Sequence, residues 1–334
     1  MILAGDVGGT KTLLGLFKQT SGKLRLVRED SFPSQQHPSL EAIVEAFLSQ
    51  GREKPHVFAV GVAGPVVRGR SQIVNLRWPV DAKRLARKLG LDEVLLLNDL
   101  EATAWGVPEL PSRQFESLTP GLRPRPGNAA LIAAGTGLGM AILFKNGERF
   151  EPSASEGGHQ QFGPRDDLEI DLLRYMRERY DRVSIERIVA GPGFSCIYQF
   201  LIESGRGRES ALMRRRLAEA DDPNAAITDA ALAGEDPVAE RTLDLFVSLY
   251  GAVAGDLALV AKATGGMFVG GGIAPRILPR LRTGEFVRAF RAKGRLSPLV
   301  EAIPVRVILE PRTALLGAAA HAAHHHRHRK RGSN

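Results

Sequence analysis

GDVGGTKT, residues 5–12, decides how this chain is read. An acidic residue, two adjacent glycines, a threonine and a lysine within one turn suggest a backbone cradle for phosphate. Two common phosphate loops look similar and neither fits, because a P-loop and a dinucleotide fingerprint both need their glycines to open a helix. Here Ile2–Val7 reads as a strand, GGT as a turn and Thr12–Phe17 as a second strand. A further turn at Ser21–Lys23 leads into a third strand at Leu24–Phe32. The glycine loop therefore joins two strands in a hairpin, and that context excludes both helical alternatives.

Working outward, Leu40, Ile43, Val44 and Phe47 recur at helical spacing, and His56–Val66 reads as a buried strand ending at Gly64-Pro65. NLRWP (Asn75–Pro79) is extended, VDAKRLARKLG is a helix closed by Gly90, and Glu93–Asp99 is a buried strand delivering Asn98-Asp99 to the start of another helix. Prolines and glycines over residues 108–128 mark a boundary. AALIAAGTGLGMAILF (Ala129–Phe144) then repeats the opening as strand, glycine turn, strand. Two such hairpins predict a duplicated α/β fold with one phosphate loop from each half. The remainder is mostly helical, with strands at GGMFVGGGIAP (Gly265–Pro275) and PVRVILE (Pro304–Glu310) and a last helix in RTALLGAAAHAAHH.

The 334 residues suit roughly two domains, and 43% hydrophobic with 25% charged residues is ordinary globular composition. Of the net charge of +8, Arg327, Arg329, Lys330 and Arg331 supply half, which leaves a mildly basic body and no case for nucleic acid. The tail HHHRHRKRGSN shows no apolar face and is expected to be disordered. The single cysteine, Cys196, rules out an internal disulfide and a cysteine zinc site, which suits a reducing cytoplasm. Asp6 interrupts the apolar N-terminus, and the runs Ala129–Phe144 and Leu245–Gly255 are too short or too glycine-rich to span a bilayer, so no membrane partner is expected.

Small residues in the two hairpins, Gly8, Gly9 and Thr10 and then Gly135, Thr136 and Gly137, let amides approach phosphate oxygens. A bare carboxylate beside phosphates is repulsive unless a divalent cation intervenes, so Asp6 is read as a Mg²⁺ ligand, directly or through water. Lys11 is either a further phosphate contact or a solvated hairpin lysine. Asp99 emerges where ligands collect in open α/β sheets, as a general base or as a helix cap. Glu156 and His159 in SEGGHQQFGP (Ser155–Pro164) suit one polyhydroxylated ligand; zinc competes for His159 without a second His or Cys nearby. Glu186 taken alone is a surface cap, Gly270–Gly272 offer flat backbone to a base or ribose, and Trp78 and Trp105 read as core or rim aromatics.

GDVGGTKT, LLLNDLEATAWGVP, AAGTGLGMAIL, SEGGHQQFGP, ERIVAGPG and GGGIAPRIL together resemble the successive signatures of bacterial glucokinases. These belong to the superfamily of sugar kinases, actin and the seventy-kilodalton heat-shock chaperones. The resemblance runs in order from near residue 2 to about 320. It implies a duplicated ribonuclease H-like (actin-like ATPase) α/β fold of two domains, 1–109 and 110–310, with a central cleft that closes on sugar. A last helix, 311–323, would return to the first domain, and 324–334 remain the tail. It further implies ATP and Mg²⁺ with glucose as acceptor, Asp99 as base for the 6-hydroxyl, and Asn75, Asn98, Glu156, His159 and Glu186 around the sugar. Asp6, Gly8, Gly9, Thr10 and Lys11 would form the first phosphate loop, Gly135, Thr136 and Gly137 the second, and Gly270, Gly271 and Gly272 the adenosine contact. A cytoplasmic homodimer is the implied assembly.

Lys11 departs toward the related ROK-type kinases, but their cysteine-rich zinc motif is absent, so the resemblance is to the zinc-free type; Gln160-Gln161 also departs from the pattern. The alternatives are a kinase for another hexose or an N-acetylhexosamine, polyphosphate as donor, a non-kinase ATPase of the superfamily, and a sugar-responsive regulator. The regulator would carry a helix-turn-helix ahead of a loop that here begins at residue 5.

Overall fold

In the computed structural model, residues 1–20, 23–73 and 76–331 are described, with side chains up to residue 327. The chain divides into two compact units, one of Met1–Ser112, Arg149–Ala154 and Glu310–Asn334, the other of Arg113–Glu148 and Ser155–Leu309.

The first unit opens with β1 (Ile2–Val7), β2 (Lys11–Thr20) and β3 (Lys23–Pro33), followed by α1 (Leu40–Ser49) and β4 (Val57–Val62). A small hairpin, β5 (Arg70–Ile73) and β6 (Trp78–Asp81), precedes α2 (Ala82–Leu89), β7 (Glu93–Asn98) and α3 (Asp99–Gly106). The sheet order is β3-β2-β1-β4-β7, with β1 antiparallel to β2 and parallel to β4, and β4 parallel to β7. Val7 lies opposite Thr12, so GDVGGTKT is a strand-turn-strand hairpin as its context requires. Strand β4 is apolar throughout, and β1 is apolar but for Asp6, because both sheet faces are covered. Alternation sends Leu3 and Val7 toward Ile43, Val44 and Phe47 of α1, and Ile2 and Ala4 toward Ala318, Ala319 and Ala322 near the C-terminus. The strand expected over 56–66 ends at Val62, and part of the segment expected to be merely extended is β6.

The next elements are β8 (Phe115–Ser117), β9 (Ala129–Ala134), β10 (Leu138–Asn146) and β11 (Arg149–Ser155), then α4 (Asp167–Arg177), α5 (Gly193–Glu203), α6 (Ala211–Glu219), α7 (Pro223–Ala233) and α8 (Pro237–Ala261). They continue as β12 (Gly266–Gly270), α9 (Ile273–Arg276), α10 (Leu278–Leu281), α11 (Glu285–Arg291), α12 (Ser297–Glu301), β13 (Val305–Ile308) and α13 (Thr313–Arg331). Within the second unit the strand order is β10-β9-β12-β13-β8, with β9 antiparallel to β10 and parallel to β12, which in turn runs parallel to β13. A hairpin followed by parallel strands thus occurs once in each unit, the duplication that the paired glycine turns announce.

Helix α8 is capped by the buried Asp236, whose carboxylate accepts from the amides of Val238 and Ala239. It is the one helix among the described residues long and apolar enough to cross a membrane, and most of that apolar stretch is buried in the second unit's core.

The tail expected to be disordered differs from that expectation, since α13 continues to Arg331. Composition missed the reason: imidazoles can serve as a packing face. His321 and His324 rest on the Trp105 ring, with centroids 5.1 and 5.0 Å away, and His325 reaches the Glu93 carboxylate at 3.2 Å. Burial first, and its histidine neighbours second, pull the His321 pKa down to about 4, so it packs as a neutral ring.

Candidate active site

In the first unit, the hairpin turn between β1 and β2 is held from below. The Ser34 hydroxyl donates to the Gly8 carbonyl at 2.9 Å, Thr12 Oγ1 lies 2.9 Å from Ser34 Oγ, and the Ser34 amide donates to the Thr10 carbonyl. Ser34 and Thr12 are fully buried, whereas Thr10 and Lys11 are exposed. The Gly8 amide closes the turn by donating to the Lys11 carbonyl at 3.0 Å. No described residue accepts from the Gly9 or Thr10 amide. Of the residues proposed for this loop, then, Gly9 and Thr10 present free donors and Gly8 shapes the turn. Sequence reading missed Ser34, whose only signal was its place just after β3.

Asp6, near the carboxyl end of β1, and Asp99, just past the carboxyl end of β7, stand within electrostatic reach of one another on either side of β4. Asp6 is in register with Gly61 of β4, and Gly61 with Leu97 of β7. A side chain at Gly61 would run into Ala102 of α3, so glycine here is what lets α3 begin close over the sheet. Burial, and after it the charge of Asp99, push the Asp6 carboxyl up to about 6, an effect that Lys11 partly offsets. Asp99 is exposed and occupies the first helical position of α3.

The helix cap is Asn98 rather than Asp99. Asn98 Oδ1 accepts from the Leu100 and Glu101 amides, and the Glu101 carboxylate accepts from the Asn98 amide in return, a reciprocal capping box. Asn98 Nδ2 donates to the Gly64 carbonyl at 3.2 Å, which ties the box to the turn after β4. Asp99 Oδ1 also accepts from the Leu100 amide at 2.9 Å. Glu101, held above its usual pKa by burial, went unnoticed in the sequence although N-x-x-E is a capping signature.

In the second unit the turn between β9 and β10 is built differently. The Gly135 amide donates to the Gly137 carbonyl at 2.9 Å, and the Gly191 amide to the Gly135 carbonyl at 2.8 Å. No described residue accepts from the Thr136 or Gly137 amide. Glu186 Oε2 accepts from the Leu138 amide at 3.0 Å, and a Cβ on Gly137 would lie 2.7 Å from that oxygen.

Glu156 and His159 flank the turn Gly157–His159 with largely exposed side chains, Oε2 and Nε2 standing 3.9 Å apart. The Gln160 carbonyl accepts from the Ile185 amide, and Arg182 donates to the His159 carbonyl at 2.6 Å. Backbone thus laces this loop to the segment carrying Glu186, and the unusual Gln160-Gln161 pair joins through main-chain atoms that any residue supplies.

The third glycine turn follows β12. Gly271 has φ of +80°, and a side chain there would collide with the Ala134 carbonyl, whereas a Cβ on Gly272 would meet nothing within 4 Å. Fully buried Tyr250 lies beneath both loops of this unit, accepting from the Ala134 amide at 3.3 Å with its hydroxyl 3.4 Å from the Gly270 carbonyl. Asn75 lies outside the described residues. Trp78 is buried in the first unit's core and Trp105 packs on α13.

A glucokinase family model matches residues 3–325 of the chain. The glucokinase of Trichormus variabilis is 40% identical over 338 residues, spanning 97% of this chain and 99% of that protein. A glucokinase crystal structure from an Antarctic psychrotroph superposes with a TM-score of 0.84 at 31% identity, covering 96% of this chain and 97% of that one. A ROK family glucokinase from Streptomyces griseus, solved with glucose and AMPPNP, has a TM-score of 0.62 at 23% identity over 95% and 97% of the two chains, a likeness of fold.

Proposed function

Since the chain belongs to the glucokinase family, with the actin-like ATPase fold, we propose that it moves the terminal phosphoryl group of ATP to O6 of D-glucose with Asp99 as general base. ATP-dependent phosphorylation of glucose is the activity of the family. The observation that supports the base is the placement of Asp99: an exposed carboxylate at the first position of a helix whose start is fixed by the Asn98–Glu101 box. As O6 attacks, Asp99 takes the hydroxyl proton, a contribution of about 10² to 10⁴ in rate.

The free amides of Gly9, Thr10, Thr136 and Gly137, with the two threonine hydroxyls, donate to phosphate oxygens, and Lys11 adds positive charge at the first hairpin. Asn98 has one Nδ2 proton left for a sugar hydroxyl; Glu156, His159, Glu186 and Asn75 complete the sugar contacts. Gly272, open at the start of α9, receives the adenosine, beside Gly270 and Gly271.

Mg²⁺ suits Asp6, a hard oxygen donor held at a raised pKa beside a second carboxylate, which a cation would relieve. No cluster of three metal-binding side chains occurs among the described residues, so the ion would sit on Asp6, directly or through water, together with phosphate oxygens and water. When bound it supplies charge neutralisation on the phosphates. A cytoplasmic homodimer belongs to the same proposal, and light scattering checks the dimer.

The test is Asp99→Asn. It should lower kcat by about 10² to 10⁴ while glucose affinity, measured by calorimetry, stays within a few-fold. Near wild-type turnover would remove Asp99 from the role.

A further inference from the structure

The two phosphate hairpins are supported by different chemistry. A neutral hydroxyl, that of Ser34, grips the Gly8 carbonyl of the first turn, whereas a carboxylate, Glu186, grips the Leu138 amide at the end of the second. A carboxylate is a costly choice beside a phosphate site, because its charge opposes the nucleotide's. Its geometry shows what it does there. Glu186 Oε2 takes the Leu138 amide at 3.0 Å, the first strand residue after the Gly135–Gly137 turn, and it fills the space that a side chain on Gly137 would need. With the Gly135 amide spent inside the turn and the Gly135 carbonyl held by Gly191, side chains anchor the turn at its two ends, Tyr250 on the Ala134 amide before it and Glu186 on the Leu138 amide after it, and of these Glu186 is the one that packs against Gly137. Glu186 also sits in the short helical turn Ile185–Arg187, directly after the strip that is hydrogen-bonded to the Glu156–His159 loop.

We infer that Glu186 is a positioning residue for the second phosphate hairpin: its carboxylate sets where the Thr136 and Gly137 amides point, and Gly137 is glycine in order to admit that carboxylate. The same oxygen pair then faces two tasks. Resting on the proposed function, in which Glu186 also meets the sugar, one carboxylate reports sugar occupancy to the loop that holds ATP.

Three variants test this on the full chain by calorimetry with Mg·AMPPNP in the absence of sugar. Glu186→Gln removes the charge but keeps an oxygen that accepts from Leu138. Glu186→Ala removes both. Since relief of charge repulsion is common to the pair, their ratio isolates the hydrogen bond: the Gln variant should bind AMPPNP about tenfold more tightly than the Ala variant. Equal affinities in the two would overturn the inference. Gly137→Ala keeps the charge and crowds the oxygen, and its AMPPNP affinity should fall about tenfold below wild type; an unchanged affinity there would also overturn it, and carries the test if Glu186→Ala does not fold. Glucose affinity measured in parallel tests the separate sugar assignment. If Glu186→Ala leaves glucose binding intact while the AMPPNP ratio holds, the sugar role fails and the hairpin role stands.

Discussion

At the scale of the residue, Asp6 shows how an environment marks a site. Its carboxyl is raised from an ordinary 3.8 to about 6 by burial and by Asp99. Because the folded value lies above the unfolded one, ionising Asp6 opposes folding. The penalty is absent below pH 3.8, grows between 3.8 and about 6, and is complete above. At 1.36 kcal/mol per pKa unit, and with some solvent access, it amounts to about 1 to 3 kcal/mol at neutral pH. Asp6→Asn should therefore raise the ligand-free melting temperature by a few degrees at pH 7.5 and by little at pH 4, while turnover collapses. Equal shifts at both pH values would show that the ionised carboxylate carries no such penalty. Lys11, the residue that departs from the expected loop, has a clear electrostatic part here: it lowers the pKa of Asp6, which keeps more of that carboxylate ionised.

At the scale of the element, the C-terminal helix crosses α3 at two glycines, beside the Trp105 contacts with His321 and His324. A Cβ on Gly317 would strike the Ala102 carbonyl, and one on Gly106 would strike Thr313. The helices approach closely at these glycines, and α3 begins with Asp99, so the proposed base sits on an element clamped along its length. Gly317→Ala forces overpacking worth about 1 to 3 kcal/mol and should lower the melting temperature by roughly 3 to 10 °C. An unchanged melting temperature would mean that the close crossing does not support the first unit. The same crossing explains the helical tail: once Ala314, Ala318 and Ala319 are docked, the next turn brings His321 and His324 onto Trp105.

At the scale of the whole molecule, the duplicated hairpins, the buried strands and the arrival of Asn98-Asp99 at a strand end were legible in the sequence, because glycine turns and apolar runs are local signals. The supports were not. Ser34 and Tyr250 act through partners distant in sequence, and nothing in their spacing marks them, whereas Glu101 carries the N-x-x-E capping spacing but passes for an ordinary helix residue. The roles of Gly8 and Gly135 also escaped, since which amides a turn spends internally is a matter of geometry. Sugar preference and phosphoryl donor, finally, depend on how a few exposed side chains meet a ligand.

The most direct measurement is product formation by the purified chain with Mg·ATP and a panel of sugars. Glucose 6-phosphate should form from glucose, with galactose, fructose, mannose and N-acetylglucosamine far slower, polyphosphate inactive as donor, and ADP release near background without sugar. ADP release indifferent to glucose, or faster phosphorylation of another sugar, would contradict the account.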